Sequence, residues 1–197
     1  MEITTKDLMH LKPISNSRHK GQFGSCYMFD GKVLKIIDKL DSILIPIGLE
    51  ERLECLTKFK IEGVALPLEL VYYNHQFIGY TMPHYNGKNL SMVLLKYELN
   101  NQIPSIDSID MYFDTLIKKI DTLSNNHIKV NDIKSDNIIV YNNELNIVDC
   151  DFYKYCSDVK TEDLLKQNLE KVKKGISKLP LHKKKDTYKF LIKKIKK

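Results

Sequence analysis

Three short turn sequences constrain the fold of this chain more than any other feature. Asp30-Gly31 divides "GSCYMFDGKVLKII", Asn74-His75 divides "VALPLELVYYNHQFIGYTMPHY", and Asn142-Asn143 stands between "IIVYN" and "LNIVD". Each lies between alternating or β-branched apolar runs. Asp-Gly is a strong two-residue hairpin signal, because the favoured hairpin turns need positive φ at their central positions. Three antiparallel hairpins are therefore expected, two before residue 84 and one after residue 137.

Helical spacing fills the remainder. "LEERLECLTKF" puts Leu49, Leu53, Leu56 and Phe59 on one face, which predicts a helix inserted between the first two hairpins. "SMVLLKYEL" is a short helix candidate. "SIDSIDMYFDTLIKKIDTLSNNHI" carries Ile109, Phe113, Leu116, Ile117, Ile120 and Leu123 along one stripe, with Ser105 or Ser108 as N-cap. Further helices are expected from about Thr161 to Leu179 and from about Lys185 onward. The fold class is α+β: a small antiparallel β-sheet lobe with one helix over about 10–84, a link near 83–87, and a helical lobe over about 88–197.

Charge is unevenly spread. The formal charge is +6, yet thirteen Lys against Glu170 and Asp186 give +11 from Lys166 onward, which leaves −5 on the first 165 residues. The basic character thus belongs to the end of the chain. There Tyr188, Leu191, Ile192 and Ile195 share one helical face. A terminal helix packing its apolar side is the favoured expectation, with contact to anionic lipid or nucleic acid as the functional alternative. Cys26, Cys55, Cys150 and Cys156 show no CxxC pairing or metal-ligand grouping, and reduced thiols are expected. "MEITTKDLMH" does not read as a secretory leader, and no apolar run has membrane-spanning length, so a cytoplasmic location is expected.

Polar residues with chemical potential gather in "VNDIKSDNIIV", Val130 to Val140. A hairpin around Asn142-Asn143 brings Asp149 back beside Asn137. A carboxylate and an amide oxygen meeting there suit Mg²⁺, which takes oxygen ligands and keeps several waters. Asp132 would accept a proton from a hydroxyl, and Lys134 would neutralise a transferring phosphoryl group. Alone, the stretch is as well explained by a solvated turn entering a strand. Upstream, "GQFGSCY" offers Gly21 and Gly24, where the backbone can approach a phosphate, although a plain β-turn explains a lone GxxG better. "KVLK" ends in Lys35, which taken alone is an ordinary strand lysine.

In their order along the chain these parts resemble the protein kinases, over Ser15 to Tyr153, or 139 of 197 residues. "GQFGSCY" is similar to the back half of the glycine-rich loop, with His19 where the first glycine is usual. "KVLK" resembles the V-A-I-K strand, which makes Lys35 the lysine for the α- and β-phosphates. "MPHYNGKNL" resembles the hinge, with Met82 as gatekeeper and the Pro83-His84-Tyr85 backbone facing adenine. "NDIKSDN" resembles the catalytic loop, implying Asp132 as base, Lys134 as phosphate-facing lysine and Asn137 as metal ligand. "DCD" stands where D-F-G is usual, implying Asp149 as the main Mg²⁺ ligand.

The resemblance has gaps. Aligning Leu56 and Phe59 with the family pattern puts Arg52 at the helix position that pairs with the strand lysine; a one-residue shift selects Glu51, the expected partner of Lys35. Val130-Asn131 replaces the usual His-Arg, Asp151 replaces a glycine, no A-P-E follows, and 46 residues remain after Asp151. The implied function is that of a minimal ATP- and Mg²⁺-dependent kinase, nearer in size to compact bacterial or effector kinases. It would act on Ser/Thr hydroxyls of a protein substrate, with room for an activating partner to complete its short helical lobe. A small-molecule kinase (sugar, choline or aminoglycoside type) and a non-enzymatic binding module of the same fold are the alternatives.

Overall fold

The computed structural model describes residues 1–14, 24–37, 47–99 and 106–176, with side chains described over 1–14, 24–37, 47–96 and 111–176. The fold is mixed α+β, with antiparallel sheets and five α-helices among the described residues. The chain divides into two compact units. Met1–Lys60 and Ala65–His84 form the first; Ile61–Val64 and Tyr85–Lys197 form the second.

The first unit is built on a five-stranded sheet. Its strands are β1 (Lys12–Pro13), β2 (Gly24–Phe29), β3 (Lys32–Ile37), β4 (Glu69–Tyr73) and β5 (Gln76–Met82), ordered β1-β2-β3-β5-β4. Two of the expected hairpins are here. Asp30 and Gly31 have φ of 48° and 71°, and Asn74 and His75 have 50° and 60°. Positive φ at both central residues gives a turn twisted like its strands, so each hairpin closes in two residues. Helix α1 (Thr5–Met9) starts at a reciprocal cap in which Thr4 and Asp7 bond each other's backbone amides. Ile3, Leu34 and Val71 form a buried cluster on one face of the sheet, joined by Leu8, Leu11, Ile36 and Ile78. Strand alternation turns Val33, Lys35 and Ile37 the other way. Helix α2 (Leu49–Leu56) buries Leu49, Leu53 and Leu56 and packs on β4; Phe59 lies beyond its end.

In the second unit, β8 (Ile138–Tyr141) and β9 (Glu144–Ile147) form the third hairpin, with Asn142 and Asn143 at φ of 50° and 58°. Short β6 (Lys88–Asn89) pairs with β8, and a separate ladder joins β7 (Ile128–Lys129) to β10 (Lys154–Tyr155). The helices are α3 (Leu90–Leu99), α4 (Ile106–Asn125) and α5 (Thr161–Ile176). Phe113, Leu116, Ile120 and Leu123 on α4 are buried, as their spacing requires, and α4 packs against β9 and α5. Ser108 falls inside α4 rather than at its start, so it is not the cap; Ser105, His19, Gly21 and the expected helix from Lys185 lie outside the described residues.

One feature of this unit has no signal in the periodicity. Val64 forms a parallel bridge with Ile147, and the Ile147 amide donates to the Gly63 carbonyl at 2.8 Å. Gly63 has φ of 73°, and a Cβ there would collide with the Lys119 side chain, whose ammonium donates to Glu144 at 2.7 Å and to the Leu145 carbonyl at 3.0 Å. Glycine is favoured at this point, and β9 is gripped just before Asp149. Among the described residues no helix is long and apolar enough to cross a membrane.

Candidate active site

Four of the candidate residues converge in the second unit. Asp132 and Lys134 lie in the loop after β7, Asn137 ends a 3-10 turn (Ser135–Asn137), and Asp149 follows β9. The hairpin supplies the convergence. Ile138 pairs with Ile147, and the Val148 amide donates to the Asn137 carbonyl at 2.9 Å, which extends the ladder one step to Asn137 and Val148, immediately before Asp149. Asn137 is 7% exposed, and its Nδ2 donates to the Asp132 carbonyl at 3.0 Å.

Asp132 has φ of 53° and Asp149 has 64°. Aspartate visits this left-handed region more readily than most residues, yet it remains a minor conformation that neighbours must hold in place. Around Asp132 the neighbours are specific. The Val130 amide donates to Asn168 Oδ1 on α5 at 2.8 Å. Ile133 is buried, and its carbonyl abuts Gly175, where any Cβ would collide with it. Lys134 Nζ donates to Asp132 Oδ2 at 3.0 Å; both side chains are over 40% exposed, so this pair orients more than it stabilises. Asp136 accepts from the Ser91 hydroxyl at the start of α3, where Asn89 Oδ1 takes the Met92 amide at 3.1 Å.

Beyond Asp149 the chain turns sharply, with the Tyr153 amide donating to the Cys150 carbonyl at 3.0 Å. Cys150, Asp151 and Tyr153 are all buried. Burial pushes the Tyr153 phenol well above its usual pKa, with smaller upward pushes from Cys150, Asp149 and Asp132. The phenol stays protonated beside the two carboxylates.

The other candidates belong mainly to the first unit. Lys35 is 4% exposed at the centre of β3, level with Cys26 on β2 and Tyr80 on β5. Gly24 opens β2, and its missing side chain is already accounted for by the sheet, because a Cβ would strike the Ile36 carbonyl on β3. Met82 ends β5 opposite Val33 and is buried; Pro83 and His84 follow, half-buried, and half-buried Tyr85 opens the longer segment of the second unit. The Tyr85 phenol is raised above its usual value, chiefly by burial.

Glu51 is exposed on α2, whereas Lys35 is buried in β3. Helix geometry gives the reason: Leu49, Leu53 and Leu56 take the inward stripe, and Glu51 falls outside it. Neighbouring Glu50 instead accepts from the Tyr72 hydroxyl at 2.9 Å, which raises that phenol's pKa.

Asn168 and Gly175 were not singled out by sequence reasoning, and Asn131 was noted only as a departure from the usual His-Arg. For Asn168 a signal existed. Leu164, Asn168, Val172 and Ile176 form one buried row at four-residue spacing on α5, and Asn168 is the polar member. A buried amide needs partners, and this one has them: besides Val130 it donates to Ser124 Oγ at 2.9 Å and to the Ile128 carbonyl at 3.0 Å.

Among the described residues no three His, Cys, Asp or Glu side chains cluster as a metal site. The hard oxygens of Asp149 and Asn137 nevertheless fit Mg²⁺, which commonly takes one or two protein ligands and completes its shell with water and phosphate. No model of a known protein family matches the chain, and no curated protein matches it.

Proposed function

We propose that the protein is an ATP- and Mg²⁺-dependent phosphotransferase with a kinase-like two-lobed fold, acting on a Ser/Thr hydroxyl of a protein substrate. The observation that carries this reading is the β8–β9 hairpin, whose open end pairs Asn137 with Val148, immediately before Asp149, while Asn137 also bonds the Asp132 carbonyl. Mg²⁺, when bound, would screen the phosphate charge. Asp149 and Asn137 would hold it through oxygen, and Lys35 would neutralise the non-transferred phosphates. Asp132 would orient the acceptor hydroxyl and take its proton as the oxygen bonds to the γ-phosphorus and the bond to the β-phosphate oxygen breaks, releasing ADP, while Lys134 offsets charge on the transferring group. Positioning and electrostatics carry most of the rate in such chemistry.

A second reading has an observation in its favour. Helix α5 starts at Thr161, ten residues after Asp151, which leaves little chain for docking a peptide. A small-molecule acceptor such as a sugar, choline or aminoglycoside follows from that economy. Lys134, two residues after the base, favours the protein acceptor.

Radiolabelled ATP with Mg²⁺ tests both. Wild type should label a generic protein acceptor, and Lys35→Ala and Asp149→Ala should not. Label confined to small alcohols would transfer the assignment to the second reading. Label persisting in both variants would remove these residues from the site.

A further inference from the structure

Asn131 stands where the resemblance leads one to expect arginine, and the structure gives its side chain a specific partner. Its Nδ2 donates to the Phe152 carbonyl at 2.9 Å across 21 residues of sequence, in a partly buried setting. The two ends of this bond are informative. Asn131 immediately precedes Asp132, with φ of 53°, and Phe152 lies three residues after Asp149, with φ of 64°. The bond therefore joins the two left-handed carboxylate positions of the candidate site. Val130, on the other side of Asn131, is held by Asn168, and Asn137 holds the Asp132 carbonyl. Asn131 is the member of this set that reaches the chain after Asp149.

The tie is also uncharged. An arginine at this position could also donate to a carbonyl, but its fixed charge would in addition attract an anion such as a phosphorylated residue. An amide donating to a main-chain carbonyl needs neither a phosphate nor a titrating group, and salt does not screen it.

We propose that Asn131 is a positioning residue of the candidate site. Its amide clamps the Asp132 loop to the segment following Asp149 and keeps the site in working shape without phosphorylation. The proposal rests on the phosphotransferase reading above.

The test uses the full chain as wild type, Asn131→Leu, Asn131→Asp and Asn131→Gln, each checked for folding by circular dichroism. Phosphoryl transfer is measured with and without prior phosphatase treatment, and backbone hydrogen exchange is followed over 128–137 and 149–156. For Asn131→Leu and Asn131→Asp, kcat should fall about 10- to 100-fold while KM for ATP stays within about threefold, the pattern of misplaced rather than absent groups. Asn131→Gln, which keeps the donor on a longer stem, should regain part of the rate. Phosphatase should leave the wild-type rate unchanged, and exchange should quicken in both segments of Asn131→Leu. A folded Asn131→Leu with full kcat and only a lower Tm would reduce the bond to a structural one and overturn the proposal. A wild type silenced by phosphatase would overturn it too. If wild type transfers no phosphate at all, the phosphotransferase reading fails first. The clamp is then judged by exchange alone: unaltered exchange over 149–156 overturns it, and quickened exchange sustains it.

Discussion

The surroundings of Lys35 and those of Asp132 are built by different means. Lys35 sits in the middle of a regular ladder, its place fixed by strand register against Cys26 and Tyr80. Asp132 sits in an irregular loop, its place fixed by side-chain amides on Asn137 and Asn168 and by the close approach of Gly175 to Ile133. A ladder spreads its hold over many equivalent backbone bonds, so one substitution seldom displaces a residue within it. A loop held by a few unlike bonds can be moved by losing one of them. Single substitutions should therefore be felt much more strongly around Asp132 than around Lys35.

The largest effect is expected at Asp132 itself. Asp132→Asn keeps the shape and removes the proton acceptor together with the charge facing Lys134. Phosphoryl transfer should fall about 10²- to 10⁴-fold, the usual range for a general base, with Mg²⁺–ATP binding unchanged by calorimetry. Retention of more than about a tenth of the rate would leave the loop with a structural role only.

Next in size is Asn168→Leu, which is close in volume. It strips partners from the Val130 amide, the Ile128 carbonyl and Ser124 Oγ, inside a region where Asn168 is fully buried. Leaving buried polar groups unpaired costs about 1–3 kcal/mol each, partly relieved by the apolar replacement, so a loss of about 2–4 kcal/mol in urea unfolding is expected. A loss below about 1 kcal/mol would show that the loop is not held from α5, and the comparison would break at its stronger end.

The same contrast governs what could be read from the sequence. Hairpins at Asp30-Gly31, Asn74-His75 and Asn142-Asn143 were legible because turn chemistry is local and two-residue loops set the register. Helices α2 and α4 were legible from the spacing of Leu53, Leu56, Leu116 and Ile120. The proximity of Asn137 to Asp149 followed from the third hairpin alone. The residue of α2 that faces Lys35 was not legible, because an apolar stripe gives a helix face only to within a residue or so, and Glu50, Glu51 and Arg52 all border it. The bond from Asn131 to Phe152 and the grip of Ile61–Val64 on β9 join residues far apart in sequence. No local pattern encodes them.

That grip provides a third and smaller perturbation. Gly63→Ala forces a side chain into a position with φ of 73° and against Lys119. The strain of an L-residue in that region is about 1–2 kcal/mol, and Lys119 can yield because the colliding atoms lie at the end of a flexible chain. Stability should drop by about that amount. If β9 transmits the change to Asp149, Mg²⁺–ATP affinity should weaken as well. Unchanged affinity would confine Gly63 to the packing of its own unit and separate it from the network around Asp132.

The smallest effect has the opposite sign and tests the ladder side. Thr81 on β5 is fully buried, shares its face of the sheet with Leu34, and has no hydrogen-bond partner for its hydroxyl. Asn168 and Thr81 are thus equally buried polar residues with opposite accounts, one fully partnered and the other not. Thr81→Val replaces the hydroxyl with a methyl of similar size, and strand propensity is kept because both residues are β-branched. Removing an unsatisfied buried hydroxyl should stabilise the protein by about 1 kcal/mol, read as a higher urea midpoint at unchanged slope. If Thr81→Val destabilises instead, the hydroxyl has a use in the sheet that its surroundings do not disclose, and the first unit is held by specific polar contacts after all. The proposed difference between a region held by many equivalent bonds and one held by a few unlike bonds would then fail on the side where it predicts tolerance.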